Sequence, residues 1–337
     1  MRITICGGGN LGHVTAGVLA SDSKNHVSLL TSRPEAWSKK VDVIDCKGFV
    51  YHGSIERVSS SPLDVIPHAD IVLLCLPGYA ICKVLDAIAP YLSSSAWVGS
   101  VVSSTGFFFE AMKRLSRTQP LFGFQRVPYI SRIIKYGCEA ELKGYKESLS
   151  VAVEQTSEKI AIQEELARLF HTPVKLLDSY YEVSLSNSNP LLHTSRLYSL
   201  WHDWKPGRNY ERNPGFYSEW TMEASELYIA MDEEFQTLLK RLGLKEGSIP
   251  TVLDYYESSD AQSLTQKIRS ITAFQGIPSP MIANEEGLYE PDFQSRYFTE
   301  DFPFGLRFVV ETAEKANVSM TIIPKVYNWG CQVLKNS

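Results

Sequence analysis

The 337-residue chain lacks several features that would indicate other kinds of protein. It has no apolar run of about 18 residues, the length that a membrane-spanning helix needs, and no charged leader with an apolar core precedes its first apolar segment. Its formal net charge of −5 disfavours binding to nucleic acid or to an acidic membrane surface. We therefore expect a cytoplasmic protein with no membrane partner and no nucleic-acid partner.

Patterns of disulfide and metal-binding residues are also missing. The six cysteines are scattered and form neither a C-x-x-C pair nor a regular framework. The seven histidines show no ligand spacing, so we predict no metal site. Scattered cysteines of this kind are typical of buried thiols in a reducing cytosol.

The chain does have a glycine-rich turn between a predicted strand and a predicted helix. A G-x-G-x-x-G pattern follows the apolar run 3–6 directly. In this pattern the first glycine permits a tight turn, the second lets the backbone approach a pyrophosphate, and the third lets the helix pack closely on the strand. The N–H groups at the start of the helix then face the phosphates. The predicted pyrophosphate-binding residues are Gly7, Gly9, Asn10, Leu11 and Gly12.

The end of the second predicted strand, 26–30, bears on which dinucleotide binds. An NAD-binding unit has Asp or Glu there, about 20 residues after the glycines, to hold the ribose 2′-hydroxyl. Here the strand is followed by Thr31, Ser32 and Arg33. Hydroxyls and a guanidinium can bind a 2′-phosphate, which a carboxylate would repel. We therefore favour NADP(H) over NAD(H), the alternative being that Arg33 is a solvated loop residue.

Strands and helices alternate through roughly the first half of the chain, which predicts a doubly wound, mainly parallel α/β sheet. The run 69–78 is apolar up to Leu76 and Pro77, as in a strand buried on both faces. These two residues should lie at the cofactor crevice, because ligands bind beyond the carboxyl ends of such strands. Later segments show helical spacing. We predict a Rossmann domain over 1–178 and an all-α domain over 179–337, with the substrate site between them.

Two segments of the second half carry candidates for proton transfer. In the first, Asn189 could cap a helix and Pro190 fits its first position, which puts His193 in the first turn. In the second, Arg296 could bind a substrate carboxylate, and Asp301 could orient His193 and stabilise its protonated form. The alternatives are a packed or surface histidine, a solvated arginine and an aspartate that caps the next helix.

These segments resemble the opine dehydrogenases, the octopine/nopaline dehydrogenase family. The resemblance rests on the N-terminal glycine loop, on 189–194 and on 296–306, and it extends over nearly the whole chain. It implies a Rossmann domain joined to a helical domain. It also implies NAD(P)H-dependent reduction of the imine that an amino acid forms with an α-keto acid. In that family the motif histidine and aspartate are the acid/base pair, which implies the same for His193 and Asp301, with Arg296 in substrate binding.

A looser match over 124–129 implies that Gln125 and Arg126 lie in a loop near the substrate. Two other functions remain open. A 2-hydroxy-acid or ketopantoate-type reductase shares the two-domain plan but usually relies on a catalytic lysine, which neither C-terminal motif contains. A dinucleotide-sensing protein without turnover is disfavoured by the candidate acid/base pair. The amino acid, the keto acid and the oligomeric state are also open, a homodimer being one option.

Overall fold

The computed structural model describes residues 1–336, which divide into two compact units, unit 1 over Met1–Ser186 and unit 2 from Asn187 onward. The predicted boundary after residue 178 falls short of this division. The reason is a short helix, Tyr180–Leu185, that packs on unit 1. Its Val183 is fully buried in the same apolar cluster as Leu74 and Phe107.

Unit 1 alternates strands and helices for most of its length. Its strands are β1 Arg2–Cys6, β2 His26–Leu30, β3 Lys40–Asp45, β4 Val50–Ser59, β5 Ile71–Leu74, β6 Trp97–Ser100, β7 Leu121–Phe124, β8 Tyr129–Lys135, β9 Glu139–Tyr145, β10 Leu149–Glu154 and β11 Val174–Leu176. Its α-helices are α1 Asn10–Ser21, α2 Pro62–Val65, α3 Gly78–Ile88, α4 Phe107–Arg114, α5 Lys159–Phe170 and α6 Tyr180–Leu185.

The strands of unit 1 form one 11-stranded sheet in the order β11-β10-β7-β6-β5-β1-β2-β4-β3-β9-β8. β1 lies between β2 and β5 and is parallel to both, so the chain reverses its direction of winding there. Antiparallel pairs occur only at β7/β10, β3/β4 and β8/β9 within 1–186. The prediction of a doubly wound, mainly parallel sheet is confirmed.

Two hairpins, β3/β4 and β8/β9, were not expected from the sequence. β8 begins only at Tyr129, and residues 125–128, within the loop predicted over 124–129, belong to no strand or helix. The side chains of β8 and β9 alternate between buried and exposed only in part, so the period-2 signal is weak. β5 behaves as predicted: all four of its side chains are buried, each contributing about 1.5–3 kcal/mol.

None of the six cysteines within 1–336 forms a disulfide. Only Cys6 and Cys75 are buried, so the expectation that most of them are buried is wrong. Burial raises the pKa of the Cys75 thiol to about 12, so this group at the end of β5 stays protonated and unreactive.

Unit 2 is mainly helical, as predicted. Its helices are α7 Asn189–Trp201, α8 Met222–Arg241, α9 Val252–Tyr255, α10 Ala261–Ser270, α11 Arg296–Thr299, α12 Arg307–Lys315 and α13 Ile322–Asn336. A π-helical turn, Phe302–Leu306, precedes α12. The description all-α needs one correction, because β12 Met281–Ala283 and β13 Tyr289–Pro291 form an antiparallel hairpin. Strands of three residues are too short for a periodicity to show.

No helix within residues 1–336 has both the length and the apolar character to cross a membrane.

A buried arginine ties α7 to the segment that precedes α8. The Arg196 side chain lies in the core of unit 2 at 1% exposure. Its Nε donates to the carbonyl of Phe216 at 3.0 Å and its Nη2 to the carbonyl of Glu219 at 2.7 Å. Burial lowers the pKa of the Arg196 guanidinium to about 10, which still leaves it charged at neutral pH. The segment 216–219 is therefore held in place by donors that water cannot replace.

We expect Arg196→Met to destabilise unit 2 by about 2–4 kcal/mol, because it leaves buried carbonyls without a donor. Chemical denaturation followed by circular dichroism measures the change. Arg241→Met is the matched control: its guanidinium donates to the carbonyl of Ala316 at an exposed site, and its loss should cost less than about 1 kcal/mol. Equal losses for the two variants would contradict an anchoring role for Arg196.

Candidate active site

The glycine loop has the geometry that a pyrophosphate site requires. Gly7 has φ +122°, and a Cβ on it would lie 2.5 Å from the Cys75 carbonyl oxygen. A Cβ on Gly12 would overlap the Gly7 carbonyl, so the absence of a side chain lets α1 pack on β1. A Cβ on Gly9 would meet no heavy atom of the chain within 4 Å. The backbone at Gly9 is thus open to a ligand, which fits the predicted role of each glycine.

The start of α1 supplies N–H donors but few side chains. Gly9 is the N-cap and offers no side-chain cap, so the first N–H groups of the helix remain available to an anion. The Asn10 carboxamide oxygen accepts from the Ile133 N–H of β8 at 2.8 Å. Leu11 packs against the buried core. Both residues can therefore contribute to cofactor binding through their backbone N–H groups.

The other predicted cofactor residues lie at the same edge of the sheet. Thr31 follows β2, is buried, and donates its N–H to the carbonyl of Ser59 at 3.0 Å. Ser32 and Arg33 are exposed, and the Arg33 guanidinium carbon lies 4.1 Å from the centre of the Tyr136 ring. Leu76 and Pro77 follow β5, where Pro77 is the N-cap of α3.

The predicted acid/base pair forms a hydrogen bond within unit 2. His193 Nδ1 lies 2.7 Å from Asp301 Oδ2, and the two side chains are 12% and 15% exposed. A carboxylate oxygen can only accept, so Nδ1 carries the hydrogen. This decides between the two interpretations of Asp301, because its side chain makes no cap bond to the turn that follows it.

Local structure explains how residues 108 positions apart meet. α7 begins with Pro190 in its first turn and Ser188 as N-cap, one residue before the predicted cap Asn189. A Cβ on Gly305 would overlap the Pro190 ring, so glycine lets the π-helical turn pack against the start of α7. The Leu306 N–H closes that turn by donating to the Asp301 carbonyl at 2.8 Å. Such π-helical turns occur frequently at functional sites.

Sequence reasoning missed a third member of this group, Tyr217. Its hydroxyl lies 2.8 Å from His193 Nε2, and the residue is 4% exposed. Burial, with the nearby Tyr297 phenol, raises the pKa of Tyr217, so the hydroxyl keeps its proton at neutral pH. It therefore donates to Nε2 of the neutral imidazole. The Tyr217 ring stacks on Phe274 at a centroid distance of 4.1 Å.

No sequence pattern predicted the contact between Tyr217 and His193, because Tyr217 lies in a stretch without helical or strand periodicity. Glu219, two residues on, secures the stretch: its carboxylate accepts from the Arg212 guanidinium at 2.6 Å and from the Gly215 N–H at 2.8 Å. The Arg212 hydrogen bond is the main reason why the pKa of Glu219 falls to about 2.

The three predicted substrate-binding residues have other partners in the structure. Arg296 is 84% exposed, and its Nε and Nη2 donate to the two oxygens of Glu300 at 2.8 and 2.9 Å. Such an exposed i,i+4 pair is worth about 0.3–0.5 kcal/mol, so a substrate carboxylate could displace it. Substrate binding by Arg296 stays a prediction.

Gln125 and Arg126 hold the end of unit 1. Gln125 Nε2 donates to the Glu182 carbonyl at 3.3 Å, and Arg126 Nη2 donates to the Ser186 carbonyl at 2.8 Å. Both side chains thus support helix α6 and its C-terminal end. The structure gives them a structural role, and their predicted contact with substrate remains untested.

No group of three or more His, Cys, Asp or Glu side chains among residues 1–336 is arranged to hold a metal ion.

Two protein-family models match the chain. The model for the alpha-helical domain of NAD/NADP octopine/nopaline dehydrogenase matches residues 176–334, and the model for the ketopantoate reductase PanE/ApbA matches residues 3–106. With the glycine loop and the histidine–aspartate pair, these matches define an NAD(P)-dependent dehydrogenase.

Similar proteins extend over almost the whole chain. An uncharacterised protein of Sinorhizobium fredii is 29% identical and covers 98% of this chain and 94% of its own. Tauropine dehydrogenase of Arabella iricolor is 26% identical, with 98% and 91% covered. A solved octopine dehydrogenase with NADH and L-arginine has a TM-score of 0.87 at 24% identity, with 99% and 90% covered. Yersinopine dehydrogenase with NADP+ has a TM-score of 0.71 at 14% identity, with 100% and 91% covered. Over almost its whole length the chain is thus similar to octopine/nopaline-type dehydrogenases.

Two alanine variants of the glycine loop should separate cofactor contact from packing. Gly9→Ala should leave the melting temperature unchanged and weaken NAD(P)H binding about tenfold or more, because its methyl group enters only the space open to the ligand. Gly12→Ala should lower the melting temperature as well, because its methyl group overlaps the Gly7 carbonyl. Differential scanning calorimetry and isothermal titration calorimetry provide the two measurements. If the Gly9→Ala protein bound the dinucleotide with unchanged affinity, the glycine loop would not be the pyrophosphate site.

Proposed function

We propose that this enzyme reduces the imine formed between an amino acid and an α-keto acid to a secondary amine, with His193 as proton donor. The observation that carries the proposal is the Asp301–His193 hydrogen bond at 2.7 Å in a largely buried setting. A pair of this kind holds one tautomer of the imidazole and stabilises the imidazolium. Support also comes from the family, whose members include proteins named tauropine, opine and octopine dehydrogenase.

The dinucleotide would be held by unit 1, and we propose NADP(H) in preference to NAD(H). The residues proposed to hold it are Gly7, Gly9, Asn10, Leu11, Gly12, Thr31, Ser32, Arg33, Leu76 and Pro77. When bound, the reduced nicotinamide supplies the hydride. The preference is supported by the exposed Arg33 and by the absence of a carboxylate among residues 31–33. Solved relatives are described with NADH and with NADP+, so the family accommodates both.

The chemistry asks for one proton at the substrate nitrogen. As the imine carbon takes up hydride, the nitrogen takes up a proton, and C=N becomes CH–NH. Protonated His193 carries hydrogen on both ring nitrogens, and Asp301 accepts from Nδ1, so the proton transferred is the one on Nε2. The amino acid and the keto acid each carry a carboxylate, and Arg296 is the proposed cation for one of them.

Tyr217 is a positioning residue in this proposal. Its hydroxyl donates to Nε2 of the neutral ring, so that nitrogen is not left unpaired after it has given up its proton. When Nε2–H donates to the substrate nitrogen, the Tyr217 hydroxyl gives up this hydrogen bond, and Asp301 alone holds the ring.

We expect His193→Ala to lower kcat about a hundredfold or more while the protein stays folded, since the proton donor is lost. Asp301→Asn should lower it at least about tenfold, because an amide does not stabilise the imidazolium. Tyr217→Phe should have a smaller effect. His202→Ala is the matched control: His202 ends the same helix, is exposed, and stacks on Tyr198. Near-normal turnover of the His193→Ala enzyme would rule out its proposed role.

The substrate class can be tested with a matrix of amino acids against α-keto acids, each with NADPH and NADH, followed by nicotinamide absorbance. The proposal expects oxidation of the reduced cofactor only when both organic substrates are present. A keto acid consumed equally well without any amine would instead favour the reductase of 2-hydroxy or keto acids, which the ketopantoate reductase match over residues 3–106 makes the second candidate. No oxidation across the matrix would contradict both.

A further inference from the structure

The β8–β9 hairpin touches the cofactor loop, although about 125 residues separate them in the chain. His13, in the first turn of α1, makes the connection. Its Nε2 accepts from the Gly137 N–H at 2.7 Å, so Nδ1 carries the hydrogen and donates to the Gly9 carbonyl at 2.9 Å. The ring is fully buried. One neutral imidazole thus links the glycine loop to the turn of the hairpin.

This link sets the position of Tyr136, the residue before Gly137. The His13 ring meets the Tyr136 ring edge-on at 4.8 Å and lies 4.0 Å from the Trp37 ring, centre to centre. A Cβ built on Gly8 would come within 2.8 Å of both the Tyr136 hydroxyl and the Thr31 hydroxyl. Tyr136 therefore stands beside the cofactor loop, at the end of β2.

A buried donor faces the same point. Trp37 is 9% exposed, and its Nε1–H has no hydrogen-bond partner among residues 1–336. It lies 3.5 Å from the position of a Gly8 Cβ. An indole N–H can only donate, and a buried donor without an acceptor is costly. The hydroxyls of Thr31 and Tyr136 and this N–H therefore all lie close to Gly8 of the cofactor loop.

Arg33 adds the charge. Its guanidinium lies over the face of the Tyr136 ring at 4.1 Å, a cation–π contact. Contact with the ring face leaves the N–H groups at the guanidinium edge free to donate, and those edges match a phosphate. An exposed arginine without such support would lose side-chain entropy when it bound an anion. The ring therefore prepares Arg33 for its ligand.

We propose that the β8–β9 hairpin belongs to the dinucleotide site: the Tyr136 ring holds the Arg33 guanidinium in place for the 2′-phosphate of the adenosine ribose. This inference rests on the preference for NADP(H) stated above. It adds a positioning residue that lies outside the βαβ unit. The ligand chemistry is a phosphomonoester on a ribose, bound by a guanidinium that lies on an aromatic ring.

The test compares the affinities of two fragments, adenosine 2′,5′-bisphosphate and adenosine 5′-monophosphate, by isothermal titration calorimetry on the full chain. The ratio of their dissociation constants isolates the 2′-phosphate without any turnover. We expect the unmodified protein to favour the bisphosphate about tenfold or more. Tyr136→Leu should bring the ratio close to one while affinity for the monophosphate changes less than about twofold. Tyr136→Phe keeps the ring and should keep the ratio.

Tyr91→Leu, at an exposed tyrosine in the 3-10 turn Ala89–Tyr91, is the control and should not change the ratio. An unchanged ratio in Tyr136→Leu, or an equal loss in Tyr136→Phe, would overturn the inference while leaving the cofactor preference intact. A ratio near one in the unmodified protein, or one unaffected by Arg33→Ala, would overturn the preference and the inference together. The matrix of amino and keto acids tests imine reduction separately, so a failure there is distinguishable.

Discussion

The close approach of α1 to β1 is the constraint on which most of unit 1 depends. Only a glycine at position 12 lets the helix rest against the Gly7 carbonyl. That contact points the N-terminus of α1 toward the carboxyl edge of the sheet, where β1 lies between β2 and β5. His13 follows directly and carries the same constraint to the β8–β9 hairpin. The absence of a side chain at Gly12 therefore lets β1, α1 and the β8–β9 hairpin meet at the carboxyl edge of the sheet.

Unit 2 uses its buried polar groups differently. Arg196 and Glu219 hold a stretch without regular structure, and that stretch carries Tyr217 to the imidazole of His193. The π-helical turn does the same for Asp301 from the other side. The histidine thus lies between two partners whose backbone segments are anchored by hydrogen bonds, and such preorganisation favours proton transfer.

Much of the fold followed from local signals. Apolar runs such as the one in β5 and the glycine loop predicted the doubly wound sheet, and helical spacing predicted that the second half of the chain is mainly helical. The hairpins β3/β4 and β8/β9 were missed because buried and exposed side chains alternate only in part along β4, β8 and β9. The predicted boundary lies before α6, because the sequence of α6 resembles the start of the helical region. In the structure, however, the buried face of α6 packs on unit 1.

By itself, the sequence determined the class of site: a glycine loop at a strand–helix junction and a histidine and an aspartate in separate motifs. Tertiary structure alone decided that Asp301 meets His193 rather than capping a helix. It also decided that Tyr217 completes the group, and that Tyr136 lies under Arg33. The physical reason is the distance along the chain over which each kind of interaction acts. Helix and strand propensities, caps and turns depend on a few neighbouring residues, so the local sequence specifies them. These contacts join residues 24 to 108 positions apart and depend on how buried surfaces pack.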